Sequence, residues 1–260
     1  MISIVTAYYN RIHHLRFTLN SILKTTDTNF EVVIVDDFSD TAHQLDSIPL
    51  EFPSINFKII KMADIIGPTK TYYNPCVPFN VGFSYCSGDK IILQNPECCH
   101  IGDVIAYTRA NLTDNNYLTF HCYATDSADT ARLHSGDTIV PNATGHGKKK
   151  MSWWYNHVEH RSKGYHFTAA ITRANLVKLN GFDERFANGY EYDDDELLVR
   201  IKNLKLPITF VAEPYVIHQY HDKLINPNNP PISVNNKSLF YSINESGHIR
   251  AEHNHYLNLK

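Results

Sequence analysis

Four consecutive acids, Asp193, Asp194, Asp195 and Glu196, lead into Leu197-Leu198-Val199-Arg200-Ile201. Carboxylates in the first turn of a helix are stabilised by its partial positive end, so such a run can open a helix. The phase of that helix says more. Leu197, Leu198 and Ile201 mark a buried stripe, and Asp194 precedes them by three, four and seven residues. Those offsets share one helical face, which predicts an inward Asp194. An inward acid among other acids has reason to carry a raised pKa and to act as a general base. Glu196, four residues before Arg200, reads instead as a surface ion pair. A solvated helix start would account for the charge but not for the phase of Asp194.

A second set of polar residues sits at strand ends. Residues 2–8 alternate as a strand, and 12–24 place Ile12, Leu15, Leu19 and Ile22 at helical spacing. Phe30-Glu31-Val32-Val33-Ile34-Val35 reads as a strand buried on both faces and ends at Asp36-Asp37. Phe57–Ile60 is a third strand, 78–86 a helix closed by Ser87-Gly88, and Lys90–Leu93 a fourth strand. Asp103 is placed to cap a helix over 104–111. Further strands are predicted near 117–123, 167–173 and 208–213, with helices near 174–179 and 194–203. Regular alternation followed by a mixed pattern implies a doubly wound α/β half and then an antiparallel-containing half. Ligands in such sheets lie beyond the carboxyl ends of the strands. Tyr8, Tyr9 and Asn10, Asp36 and Asp37, and Asn95 and Glu97 would therefore converge on one crevice.

Composition narrows the partners. The chain has 260 residues and a formal net charge of -3, without a long basic run, which argues against nucleic acid. The densest basic patch, Lys148-Lys149-Lys150, falls in a polar stretch over 125–150 that reads as a long loop. No segment has membrane-spanning length, and Met1 runs directly into a strand without a leader, so a cytoplasmic location is expected. The five cysteines lack paired zinc spacing and read as reduced thiols. Cys98-Cys99-His100 looks metal-like, but adjacent cysteines cannot form the usual chelate.

Six ordered motifs carry a resemblance: Val5-Thr6-Ala7-Tyr8-Tyr9-Asn10-Arg11; Val35-Asp36-Asp37-Phe38-Ser39-Asp40; Asn80-Val81-Gly82; Ser87-Gly88-Asp89; Asn180-Gly181-Phe182-Asp183-Glu184; and the acidic helix start. Together they resemble a family 2 inverting glycosyltransferase of the GT-A fold, from the first strand to about His221. The resemblance implies the nucleotide-diphospho-sugar transferase architecture, a Rossmann-like mixed sheet flanked by helices. It implies a domain over 1–222, with a nucleotide-binding half (1–100) and an acceptor and catalytic half (101–222). Residues 223–260 would form an extension packing on or near the active site.

Site roles are implied residue by residue. Thr6, Ala7, Tyr9 and Arg11 match the strand end that cradles the donor, and Asp37 matches the acid that meets a uracil-type ring. Asn80 lies where the family packs a helix near the nucleotide. Asp194 matches the general base, with Asp193 in place of the family's Glu. The DxD motif aligns with Asn95-Pro96-Glu97, so Asn95 loses a charge while Glu97 keeps a carboxylate. His218 stands where relatives place a histidine ligand, with His221 the near alternative. Glu97 and His218 would hold Mn²⁺ or Mg²⁺. A metal-independent enzyme using the lysine-bearing loop, or an inactive site, are the other outcomes of the altered motif. Trp153 and Trp154 offer aromatic faces to a sugar, while Tyr190, Glu191 and Asp193 flank the base as further sugar contacts. The implied activity is hexosyl transfer in glycan biosynthesis, from a nucleotide sugar, UDP-linked as first choice because of Asp37. The acceptor is a glycan, a lipid-linked sugar or a protein. A non-catalytic nucleotide-sugar or glycan binder that retains the fold is the alternative. A nucleotidyltransferase is disfavoured, because Thr6-Ala7-Tyr8-Tyr9 lacks a glycine-rich phosphate loop.

Overall fold

A computed structural model describes residues 1–139, 155–244 and 247–257. The first half runs β1 (Ile2–Tyr8), α1 (Ile12–Ile22), β2 (Phe30–Asp36), α2 (Ile48–Glu51), β3 (Asn56–Lys61), α3 (Met62–Ile66), α4 (Cys76–Tyr85) and β4 (Lys90–Gln94). The second half adds β5 (Cys98–Ile101), α5 (Val104–Asn111), β6 (Tyr117–Ala124), α6 (Ser127–His134), β7 (Thr168–Thr172), α7 (Arg173–Leu179), α8 (Asp193–Asn203), β8 (Ile208–His218) and α9 (Asn236–Asn244). Asp103 caps α5 as expected, its carboxylate accepting from Ala106 N.

The described strands form one sheet in the order β3-β2-β1-β4-β7-β6-β8-β5. Strands β1 to β4 are parallel, β7 is antiparallel to β4 and to β6, and β8 is parallel to β6 and antiparallel to β5. The register brings Tyr8 opposite Asp36, Gln94 opposite Thr168, and Ala124 and Cys98 opposite His218. One rim of the sheet therefore collects the ends of β1, β2, β4, β6 and β8 and the starts of β5 and β7. Parallel strands are buried on both faces, and β2 shows it. Val32 and Ile34 join the core beneath α1 and α5, whereas Val33 and Val35 join the core beneath α4, α7 and α8. Gly82 lets α4 lie close on the sheet, because a Cβ there would come within 2.5 Å of Val5 Cγ1.

Several elements depart from expectation. Cys98-Cys99-His100 lies in the short edge strand β5, where the two thiols enter different apolar clusters. Four residues after a proline turn are too few to show a period. Helix α6 lies inside the stretch read as loop. It is polar and buries only Thr130 and Leu133, but Asp126 caps it. Among the described residues no helix is long and apolar enough to cross a membrane.

The largest correction concerns Glu196. Its pairing with Arg200 is not a surface ion pair, since both side chains are fully buried and joined by two bonds of 2.6 Å. Arg200 Nη1 also donates to Leu179 O at 2.7 Å, and His248 Nε2 lies 2.9 Å from Glu196 Oε1. The tail after 247 covers a flank of α8 that local periodicity reads as solvated. Removing one partner of such a pair strands a buried charge. Arg200→Leu should therefore destabilise the fold by about 3–5 kcal/mol, and adding Glu196→Met should recover much of the loss. Urea unfolding of both variants measures this, and a single substitution near neutral would contradict it.

Candidate active site

The rim of the sheet carries three clusters. The first forms where the β4–β5 turn meets the end of β8. Cys98 N donates to Asn95 O at 3.1 Å, closing a turn that aims the Glu97 side chain inward. Glu97 is buried, and its Oε1 lies 3.2 Å from both His218 Nε2 and His221 Nε2. Arg11, from just beyond β1, brings Nη2 to 3.1 Å from His221 Nδ1. Burial alone would raise the Glu97 pKa, but the Arg11 charge and the two imidazoles hold it well below the ordinary carboxylate range. Burial pulls the His218 imidazole down against the pull of Glu97. Gln219 secures the corner, its Nε2 donating to Glu97 O at 2.9 Å and to Thr18 Oγ1 at 3.0 Å.

This corner suits a divalent cation. Two imidazoles and a carboxylate converge, and Glu97 Oε2 is buried with no hydrogen-bond partner among the described residues. A buried oxygen left without a donor is the group a cation would satisfy. Mixed carboxylate and imidazole ligation matches Mn²⁺ better than Mg²⁺, which prefers oxygen alone. Asn95 lies in the same turn, half-buried, its N–H donating to Phe167 O at 3.0 Å.

The second cluster surrounds Asp37. Lys70 Nζ lies 2.5 Å from its Oδ2, and the Tyr72 hydroxyl donates to Oδ1. Each carboxylate oxygen can accept twice, so a further donor can still be received. Thr6 Oγ1 is buried without a partner among the described residues, and Ala7 and Tyr9 are half-buried nearby along the end of β1. Asn80 does not join this group. Its Nδ2 donates to Phe182 O and Glu184 Oε1, at 2.9 and 3.0 Å, and its Oδ1 accepts from Phe182 N at 2.9 Å. Both ends of the amide are committed to anchoring the 182–184 segment on α4.

The third cluster is the acid run. Glu191 and Tyr192 both have positive φ, 59° and 69°, and this sharp turn starts α8 at Asp193. Asp193 leads the inward stripe, buried and hydrogen-bonded by Asn74 Nδ2 at 2.8 Å. Burial, then the charge of Asp194, pushes its pKa up to about 7. Asp194 sits at the margin of the stripe with its side chain 35% exposed, so it is less deeply inward than its phase suggests. His166 Nδ1 approaches its Oδ1 to 2.8 Å, an ion-pair distance without the alignment of a full hydrogen bond. Burial lowers the His166 pKa, but the Asp194 and Asp193 charges outweigh it and the net direction is up. The next residue, Phe167, sets its ring edge-on to His218 at 5.9 Å, and its carbonyl takes the Asn95 N–H. Two successive residues thus tie the acids to the Glu97 corner.

Tyr190 is exposed beside the acids, its hydroxyl accepting from Lys223 Nζ at 3.4 Å. With Glu191, Tyr192 and residues 232–237 it lines an open hollow of about 600 Å³. The C-terminal extension reaches both ends of the crevice. Asn226 Nδ2 donates to Asp37 O at 3.0 Å, and Asn236 Nδ2 to Glu191 O at 2.8 Å. Trp153, Trp154 and Lys148-Lys149-Lys150 lie outside the described residues. Lys70, Tyr72 and Asn74 were missed from the sequence. They alternate as the buried side of an extended segment, a period of two that was available in Thr69-Lys70-Thr71-Tyr72-Tyr73-Asn74.

Sheet order and rim are those of the GT-A fold. Residues 3–173 match the model of glycosyl transferase family 2, and the chain belongs to that family. Residues 152–222 also match the model described as the N-terminal domain of galactosyltransferase. A comparison with curated protein sequences finds no significant match. Staphylococcus aureus TarS is similar in structure, with TM-score 0.59 and 15% identity over 84% of this chain and 36% of that one. Residues 1–349 of TarS in complex with UDP-GlcNAc give TM-score 0.57 and 16% identity over 86% of this chain and 59% of that one. The Pyrobaculum calidifontis mannosyltransferase PcManGT, in complex with GDP-Man and Mn²⁺, gives TM-score 0.54 and 12% identity over 84% and 56%. The chain thus spans 36% to 59% of the length of these longer proteins.

The buried Asp193 has a consequence for stability. Its folded pKa of about 7 lies above the ordinary 3.8, so the folded state keeps the proton longer as pH rises. Stability should fall between about pH 4 and pH 7 and stay reduced above that window. Asp193→Asn, which can still accept from Asn74, should raise Tm at pH 8 and have little effect at pH 4. Equal shifts at both values would contradict the assignment.

Proposed function

We propose that this chain transfers a hexose from a nucleoside diphosphate sugar, UDP-linked as first choice, to an acceptor hydroxyl with inversion at the anomeric carbon. The observation that carries the reading is the convergence of Glu97, His218 and His221 on one point, joined through His166–Phe167 to the acid pair on α8. Glu97, His218 and His221 would hold Mn²⁺ or Mg²⁺, which as a Lewis acid neutralises the departing diphosphate. Asp37, with Lys70 and Tyr72, supports recognition of the base, and Thr6, Ala7 and Tyr9 border it. Arg11 adds a fixed positive charge for the phosphates, and Asn95 a polar group at the same turn.

Asp194 acts as the general base. It takes the proton from the acceptor hydroxyl as that oxygen attacks the anomeric carbon from the face opposite the nucleotide. A single displacement of this kind inverts the configuration. Asp193, buried behind it, serves as a hydrogen-bonded support. The hollow beside Tyr190 and Glu191 is the natural place for the acceptor, a glycan, a lipid-linked sugar or a protein. TarS with UDP-GlcNAc and PcManGT with GDP-Man and Mn²⁺ are precedents on the same fold.

Thermal shift tests the donor and metal together, since a ligand stabilises in proportion to the logarithm of its concentration over Kd. UDP-glucose, UDP-galactose, UDP-GlcNAc and GDP-mannose are compared with and without Mn²⁺. One UDP-sugar should raise Tm only with Mn²⁺, and Glu97→Gln should abolish that increment. Asp194→Asn should keep the increment and lose donor turnover by about 10²- to 10⁴-fold. Full turnover in Asp194→Asn would remove the base, and binding without turnover in wild type would favour a non-catalytic nucleotide-sugar binder.

A further inference from the structure

His166 lies in the turn that leads into β7, two residues before its first residue Thr168. Its surroundings are not those of packing alone. The ring is buried and meets Phe79 edge-on at 5.0 Å and Phe182 at 5.2 Å, so apolar walls from two sides hold its plane. The charged groups acting on it come from the start of α8. Nδ1 is 2.8 Å from Asp194 Oδ1, and the Asp193 charge acts on the ring as well. Behind Asp193 stands the neutral amide of Asn74. A buried imidazole among phenyl rings is costly unless a partner compensates it, and an apolar residue would fill the space at lower cost.

The two oxygens of Asp194 are not equivalent. Oδ1, the atom facing His166, is buried, yet the side chain keeps 35% of its exposure, so the accessible oxygen is Oδ2. We propose that His166 is a positioning residue for the transfer step, holding Asp194 through Oδ1 so that Oδ2 is turned to the acceptor hydroxyl. This rests on the reading of Asp194 as the base. In the step, the acceptor oxygen forms its bond to the anomeric carbon. The bond from that carbon to the diphosphate breaks, its electron pair leaving on the nucleoside diphosphate. The hydroxyl proton moves to Oδ2, and His166 keeps its own proton throughout. Without the imidazole the carboxylate would turn freely about its last bond, and an unaligned base is a weak one. The upward direction of the His166 pKa agrees with an Nδ1–H facing Oδ1.

Two measurements test this, one independent of turnover. The imidazole Cε1–H signal of His166, identified by its loss in His166→Leu or His166→Asn, is titrated by NMR in wild type and in Asp194→Asn. The His166 midpoint should fall in Asp194→Asn, and an unchanged midpoint would overturn the pairing whatever the activity. Hydrolysis of the best donor among UDP-glucose, UDP-galactose, UDP-GlcNAc and UDP-GalNAc supplies the second measurement. His166→Leu should lower kcat about 10- to 100-fold, part of the roughly 10²- to 10⁴-fold that a positioned base contributes, with donor KM within about twofold. His166→Asn, whose amide N–H occupies nearly the Nδ1 position, should recover part of the loss. Loss of turnover in Asp194→Asn with full turnover in His166→Leu would overturn the positioning role and leave the base in place. Retained turnover in Asp194→Asn would fell the base reading instead.

Discussion

A carboxylate in the interior must be neutralised by its neighbours, and Glu97 is the one on which the rim of this sheet depends. Its partners come from distant parts of the chain: Arg11 from beyond β1, His218 from the end of β8, and His221 three residues later. Desolvation penalises the charge, and only that convergence keeps it ionised. Beyond the β4–β7 ladder, the antiparallel half of the sheet is therefore tied to the doubly wound half at this corner as well. Gln219 adds neutral bonds to the same place, so the corner is pre-set rather than assembled on demand.

The acid pair obeys the same constraint in a different way. Asp193 is buried beside a neighbouring charge, with the Asn74 amide donating to it, and it responds by holding its proton to about pH 7. Asp194 is partly exposed, with Oδ1 buried against the His166 imidazole. Adjacent carboxylates thus differ by depth, one buried and one partly exposed. The extended segment from Lys70 to Asn74 links the two regimes. Its buried side chains meet Asp37 at one end and Asp193 at the other, so the two clusters share one connector.

The extension after residue 223 is part of this arrangement. Asn236 accommodates itself against Gly189, where any Cβ would lie 1.9 Å from its Oδ1, and donates to Phe186 O and Glu191 O. Glu184 receives the tail at two places, its N–H donating to His253 O and its Oε2 accepting from His255 N. The strap therefore fixes the 180–192 connection that aims α8 at the rim. His248 on Glu196 completes the cover.

Much of the fold could be read in advance, because alternation of periods 2 and 3.6 is a local property. The run Phe30 to Val35 announced a strand buried on both faces, and Asp103 announced the start of α5. Ordered motifs also placed Asp37, Glu97, Asp194 and His218 on one rim. Short or polar elements such as β5 and α6 were illegible, since too few residues repeat a pattern. Periodicity gave the inward side of α8 only to within the width of its stripe. Whether Asp193 or Asp194 lay deeper turned on how they meet Asn74 and His166, and whether Glu196 met water on His248 in the tail, some fifty residues away. Amino-acid order decided which groups could do chemistry and roughly where. Burial, and with it the raised pKa of Asp193, the lowered pKa of Glu97 and the partner of His166, was decided by contacts between segments far apart in the chain. A sequence records no distance between such segments, so only their packing could settle it.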